Sequence, residues 1–128
     1  MTSLRVLTWC CIIFLAALTL LPGRAFVALG LLPAIKTVRS VIPAYVGHFV
    51  AYAAVSALAM AVYSPRRGGA PIIGGLWLYA GVLEYLQHFS PGRYPSIVSV
   101  VGSALGALCG GLVIALLWGR RSSKINNG

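Results

Sequence analysis

Apolar residues gather in four long runs separated by short polar breaks: residues 6–22, about 44–63, about 70–89 and about 96–118. Each is close to the ~20 residues that a helix needs to cross about 30 Å of hydrocarbon. Lipid offers the backbone no hydrogen-bond partner, so an open-ended segment must satisfy its own peptide groups as a helix. The pattern therefore predicts an all-α membrane protein, with four transmembrane helices in a small bundle forming a single domain over residues 1–128. Between the first two runs, residues 23–43 are apolar but are cut by Pro33, Lys36, Arg39 and Pro43. This reads as a short interfacial helix or a re-entrant segment. Residues 119–128 read as a basic, disordered cytoplasmic tail.

Composition supports the bilayer as solvent. The chain is 59% hydrophobic and 9% charged, against about 25% charged residues in an ordinary soluble domain. The formal charge of +9 does not point to nucleic acid, because the basic residues sit in short flanks between apolar runs and form no stripe or patch. Those flanks set a topology. Arg5, Arg66, Arg67, Arg120, Arg121 and Lys124 would share one side, and Arg24, Lys36, Arg39 and Arg93 the other, six against four. The richer side is cytoplasmic by the positive-inside rule, which places both termini of this multi-pass chain there. The first run also admits a signal-peptide reading, with Arg5 before an apolar core and small residues Gly23 and Ala25 near its end. Its length, Pro22 and Arg24 weigh against cleavage, which would leave the orientation of the other spans unchanged.

Little in the chain suggests a reaction. Cys10, Cys11 and Cys109 lie inside apolar runs without ligand spacing or a disulfide framework. There is no nucleotide loop, no paired carboxylates, no HExxH and no Gly-x-Ser-x-Gly, so neither a cofactor nor a metal is expected and no catalytic residue can be assigned.

The informative stretch is EYLQHFSPGR, residues 84–93, which opens with Glu84, the sole acidic residue. An ionisable group at a membrane helix end is costly unless it faces protein or water. With cytoplasmic termini, His48 and Tyr52, one turn apart, start the second span at the outer side. Glu84, Gln87 and His88 end the third span there and share one helical face by their i, i+3, i+4 spacing. Arg93 lies in the outer loop, and Ser96 and Ser99 open the fourth span. These residues are expected to form a polar cluster in which Glu84 pairs with Arg93 or His48. His88, next to the end of its span, reads more simply as an interfacial residue. Tyr79, Tyr85, Tyr94, Trp77 and Trp118 read as belt or packing residues. Ser96, Ser99, Ser103, Gly106 and Gly110 form a stripe of small residues along the last span, with Gly102 beside it. The glycines at 102, 106 and 110, four apart, predict a close helix contact.

The stretch GHFVAYAAVSAL, followed by EYLQHFSPGRYPS and then GSALGALCGG, resembles the VanZ-like family of small bacterial membrane proteins. The matching positions are His48, Phe49, Tyr52, Glu84, Gln87, Pro91, Gly92, Arg93 and Ser96, with Gly106 and Gly110 following; the likeness covers about 44–111. Where the family commonly has Asp-Lys before its His, this chain has Ala44 and Tyr45. Where the family often has Asp and Asn in its last helix, it has Ser99 and Ser103. The family's namesake is associated with resistance to the glycopeptide teicoplanin, and other members with envelope and exopolysaccharide functions. The resemblance implies an accessory or binding role at the outer face, toward an amphiphilic envelope intermediate or a glycopeptide-related ligand. The alternative is a membrane-embedded enzyme acting on such an intermediate. One acid and no nucleophile–base pair favour the non-catalytic reading. Besides the lipid bilayer, a second copy or a partner helix could meet the glycine stripe.

Overall fold

The computed structural model describes residues 2–31, 33, 34, 36, 37, 42–63, 69–92 and 94–126. Helix α1 spans Thr2–Leu20, α2 Gly23–Ala28, α3 Ala44–Tyr63, α4 Ala70–Leu86 and α5 Ile97–Asn126, with a 3-10 turn over Gln87–Phe89. No strand occurs among the described residues.

Local chemistry sets these boundaries. Pro22, at φ −64° and ψ 150°, separates α1 from α2, as the restricted proline ring favours at a helix start. Gly30, at φ +67°, takes the left-handed turn that follows α2. Pro43 accepts from the N–H groups of Val46 and Gly47 at the start of α3. Pro71 stands in the first turn of α4, where its missing N–H costs nothing. Ser90 is extended, at φ −97° and ψ 114°, because Pro91 disfavours the helical region for the residue before it.

Among the described residues, three helices are long and apolar enough to cross a membrane: α1, α3 and the Ile97–Arg120 part of α5. Helix α4, at 17 residues, falls short of that length. The expected third span therefore divides, with regular helix to Leu86 and a tightened turn beyond it. Two further expectations change. The interfacial segment is helical over Gly23–Ala28, while Arg39 and residues 38–41 lie outside the described residues. Residues 119–126 continue the last helix to Asn126 and do not form the disordered tail expected, since no proline interrupts the run.

The surface is inverted relative to a water-soluble fold. Ser56, Thr8 and Ser103 are at most 2% exposed, while Phe14, Leu78 and Leu116 are at least 63% exposed. Hydroxyls inside an apolar bundle need partners. Thr8 and Thr19 donate to the carbonyls of Leu4 and Leu15 one turn back, at 2.8 and 2.7 Å. Ser56 donates across helices to the Ala107 carbonyl at 2.6 Å.

The tightest contact joins α3 and α5. A Cβ placed on Gly102, Gly106 or Gly110 would stand 2.7, 2.2 or 2.1 Å from the carbonyl oxygen of Tyr45, Phe49 or Ala53 respectively. Both series rise by four, so the two helices run parallel and meet backbone to backbone. Gly102 thus belongs to the contact row and does not merely sit beside it, as the stripe reading had it. Helix α4 runs the other way: Trp77 Nε1 donates to the Ala104 carbonyl at 3.0 Å, and Glu84 meets Ser96. Helix α1 is held to α4 where Tyr79 donates to the Ile12 carbonyl at 2.5 Å and Ser90 to the Leu20 carbonyl at 2.9 Å. Helices α1 and α4 therefore point one way and α3 and α5 the other.

Gly106→Ala and Gly110→Ala should each lower detergent-solubilised thermal stability, by about 1–3 kcal/mol from overpacking, because the obstacle is main chain and cannot rotate away. Gly47→Ala, where a Cβ meets nothing within 4 Å, should leave the melting temperature unchanged. Equal melting temperatures for all three variants would refute the glycine row as the packing contact.

Candidate functional site

The site is built at the end of the bundle where α4 finishes and α3 and α5 begin. Glu84 occupies the last turn of α4 and is 8% exposed. Its Oε1 accepts the backbone N–H of Ser96 in a short hydrogen bond. Ser96 precedes α5, and its carbonyl accepts from the N–H groups of Ser99 and Val100 at 2.9 and 3.2 Å. It is thus the N-cap of the longest helix. In a capping box, an acid three residues into a helix reaches back to the N-cap N–H. Here that position holds Ser99, and α4 supplies the acid. The carboxylate also faces the positive end of the α5 dipole, where negative charge is stabilised.

Gln87 follows on the same side and is buried. His88 is exposed, its Nδ1 3.1 Å from the Tyr85 carbonyl, so the shared face expected for 84, 87 and 88 holds only for the first two. The cause is the 3-10 turn. At three residues per turn, Gln87 eclipses Glu84, while His88 is rotated away.

The second part of the cluster joins α3 to α5. Ser103 is buried and donates to the Ser99 carbonyl at 2.9 Å. Its oxygen lies 3.4 Å from His48 Nδ1, so with the Ser103 proton so placed, the imidazole N–H is the donor of this longer contact. Ser99 is buried beside them. Tyr52, expected in the polar cluster, lies deeper. It is 2% exposed, packs with Val55, Leu76, Ala80 and Ala107, and sets its ring 6.5 Å from that of Tyr79. Arg93 lies outside the described residues, so its expected pairing with Glu84 is not described; the same holds for Arg66 and Arg67. Among the described residues, no three His, Cys, Asp or Glu side chains converge as metal ligands.

Sequence reasoning missed Ser56 and undervalued Tyr79 and Ser90. Ser56 continues the four-residue spacing of His48 and Tyr52, which marks one face of α3 and could have revealed it. Tyr79 and Ser90 bond to carbonyls of α1, and no local pattern signals a partner about 70 residues away.

Chemically, the cluster is well suited to holding helices in register and to offering a polar surface. It is poorly suited to nucleophilic attack, since the hydroxyl nearest an imidazole is buried and already donates to a carbonyl. The described residues form an all-helical fold in which three helices are long and apolar enough to cross a membrane. Comparisons with protein-family models, with curated proteins and with solved structures gave no match.

Glu84→Ala should destabilise the protein by about 1–3 kcal/mol, the cost of a buried unsatisfied donor. Glu84→Gln retains an amide oxygen as acceptor and should lose less, about 0.3–2 kcal/mol for the charge at a helix N-terminus. Thermal unfolding in detergent distinguishes the two. A Glu84→Ala variant as stable as the parent would remove the capping role.

Proposed function

We propose that the chain is a four-span, VanZ-like protein of a bacterial inner membrane, with both termini cytoplasmic. Its outer-end polar cluster serves an accessory or binding role toward an amphiphilic envelope intermediate. In this reading α4 and its 3-10 turn, Ala70–Phe89 together, make the third crossing, and Arg93 in the following loop offers a cation to a ligand phosphate or carboxylate.

The observation that most supports this reading is the bond from Glu84 to the Ser96 main chain. It commits the only acid to building the site, which leaves binding as the better use of the surrounding Gln87, Ser99 and His48. The alternating helix directions support an even number of crossings, because the start of α1 and the end of α3 meet where Arg5 lies over the Tyr63 ring at 5.9 Å.

Two measurements test the proposal. Reporter fusions after Arg67 and after Lys124 should both read cytoplasmic; a periplasmic signal at either overturns the topology. A deletion strain should show altered envelope integrity or glycopeptide sensitivity. Arg93→Ala should then fail to complement while accumulating normally. Full complementation by Arg93→Ala together with Glu84→Gln would remove the binding role and leave a scaffold.

A further inference from the structure

At the end of the bundle opposite the polar cluster, an apolar groove of ≈ 310 Å³ lies between α1, the end of α3 and the start of α4. Trp9, Ile12, Tyr63, Ile72, Gly75 and Leu76 line it. Tyr79 also lines it, with its hydroxyl fastened to the Ile12 carbonyl. Arg5, Trp9 and Ile12 are spaced i, i+4, i+7, so they share the face of α1 that forms one wall. The Arg5 guanidinium sits 5.9 Å from the Tyr63 ring centroid, which puts a cation at the groove's mouth. The chain's single acidic side chain, Glu84, is buried at the other end and bonded to Ser96. Arg5 therefore has no acidic side chain of its own chain to pair with.

An apolar slot topped by a cation and two amphipathic aromatics matches one ligand chemistry well. Hydrocarbon fills the slot, Trp and Tyr sit at headgroup level, and an anion meets the guanidinium. We infer that this groove binds one acyl chain of an anionic phospholipid, with the lipid phosphate paired to Arg5. The inference rests on the chain residing in a bilayer and is independent of what the polar cluster binds. Gly75 offers a clean block, because a side chain there meets open space within 4 Å and would fill the groove without displacing backbone.

The test uses the full chain reconstituted in phosphatidylcholine vesicles, with insertion first established by flotation after alkaline extraction. A small fraction of the lipid is brominated, either as phosphatidylglycerol or as phosphatidylcholine, and tryptophan quenching is recorded. The share due to Trp9 is the difference between the parent and a Trp9→Phe variant. Brominated phosphatidylglycerol should be enriched at Trp9 by about fivefold over brominated phosphatidylcholine, the preference expected for one cation at an anionic surface. Arg5→Gln should abolish the preference, and Gly75→Leu should abolish it with Arg5 still present. Equal quenching by the two lipids in inserted parent protein overturns the site alone, and so does a preference that survives Arg5→Gln. No quenching by either lipid would mean that protein covers the groove, which also overturns it. Failure to insert would remove the membrane reading together with the site.

Discussion

The backbone approach of α3 to α5 along Gly102, Gly106 and Gly110 is the contact on which the other features depend. In a hydrocarbon solvent, apolar side chains gain nothing by leaving lipid for protein, so helices associate through close packing and hydrogen bonds. The glycine row supplies the first, and Ser56 donating to Ala107 beside it supplies the second. This pair is parallel, which constrains everything between. The chain leaves the end of α3 and must return to the other end of the bundle before α5 can begin. Helix α4 makes that return, and in doing so it delivers Glu84 to the first turn of α5. The polar cluster is thus a consequence of the pairing as much as of its own residues.

A buried carboxylate at a helix end is unfavourable by itself, and so is an unmet N–H where α5 begins. Each offsets the other, and the dipole of α5 adds to the attraction. The arrangement separates the two halves of a capping box onto different helices, so the Ser96 N–H receives this acceptor only when α4 is docked. Secondary structure and tertiary packing are coupled at one hydrogen bond. That coupling gives the single acid of the chain a defined structural role.

Much of this was legible in the sequence, for reasons that differ by feature. The four apolar runs gave the helices because length and polarity alone dictate them in a bilayer. The glycine spacing gave a helix contact, although only the structure shows that its partner is the carbonyl row of α3 and that Gly102 belongs to it. Counting alternating helices put His48, Tyr52, Glu84, Gln87, Arg93, Ser96 and Ser99 toward one end, with Ser103 assigned to the packing stripe; the structure instead sets Tyr52 deeper and Ser103 beside His48. The described bond of Glu84 did not follow from side-chain spacing: it is to the main-chain N–H of Ser96, which no residue type advertises, while Arg93, its expected partner, lies outside the described residues. His88 is exposed, in keeping with its reading as an interfacial residue, although the 3-10 turn takes it off the face that its spacing from Glu84 suggested. Tyr79 and Ser90 reach carbonyls of α1 that any sequence would possess.

The two ends of the bundle differ in kind. At one, polar groups from three helices meet one another: Glu84 is bonded to Ser96, Ser103 to Ser99, and His48 lies against Ser103. At the other, Arg5 stands over an aromatic ring beside an apolar groove, with no acidic side chain in the whole chain left to answer it. The described polar groups at the first end bond to one another within the chain, while the second end presents an open apolar groove. The same scarcity of acids that makes Glu84 a cap for α5 also leaves Arg5 with no acidic side chain to pair with.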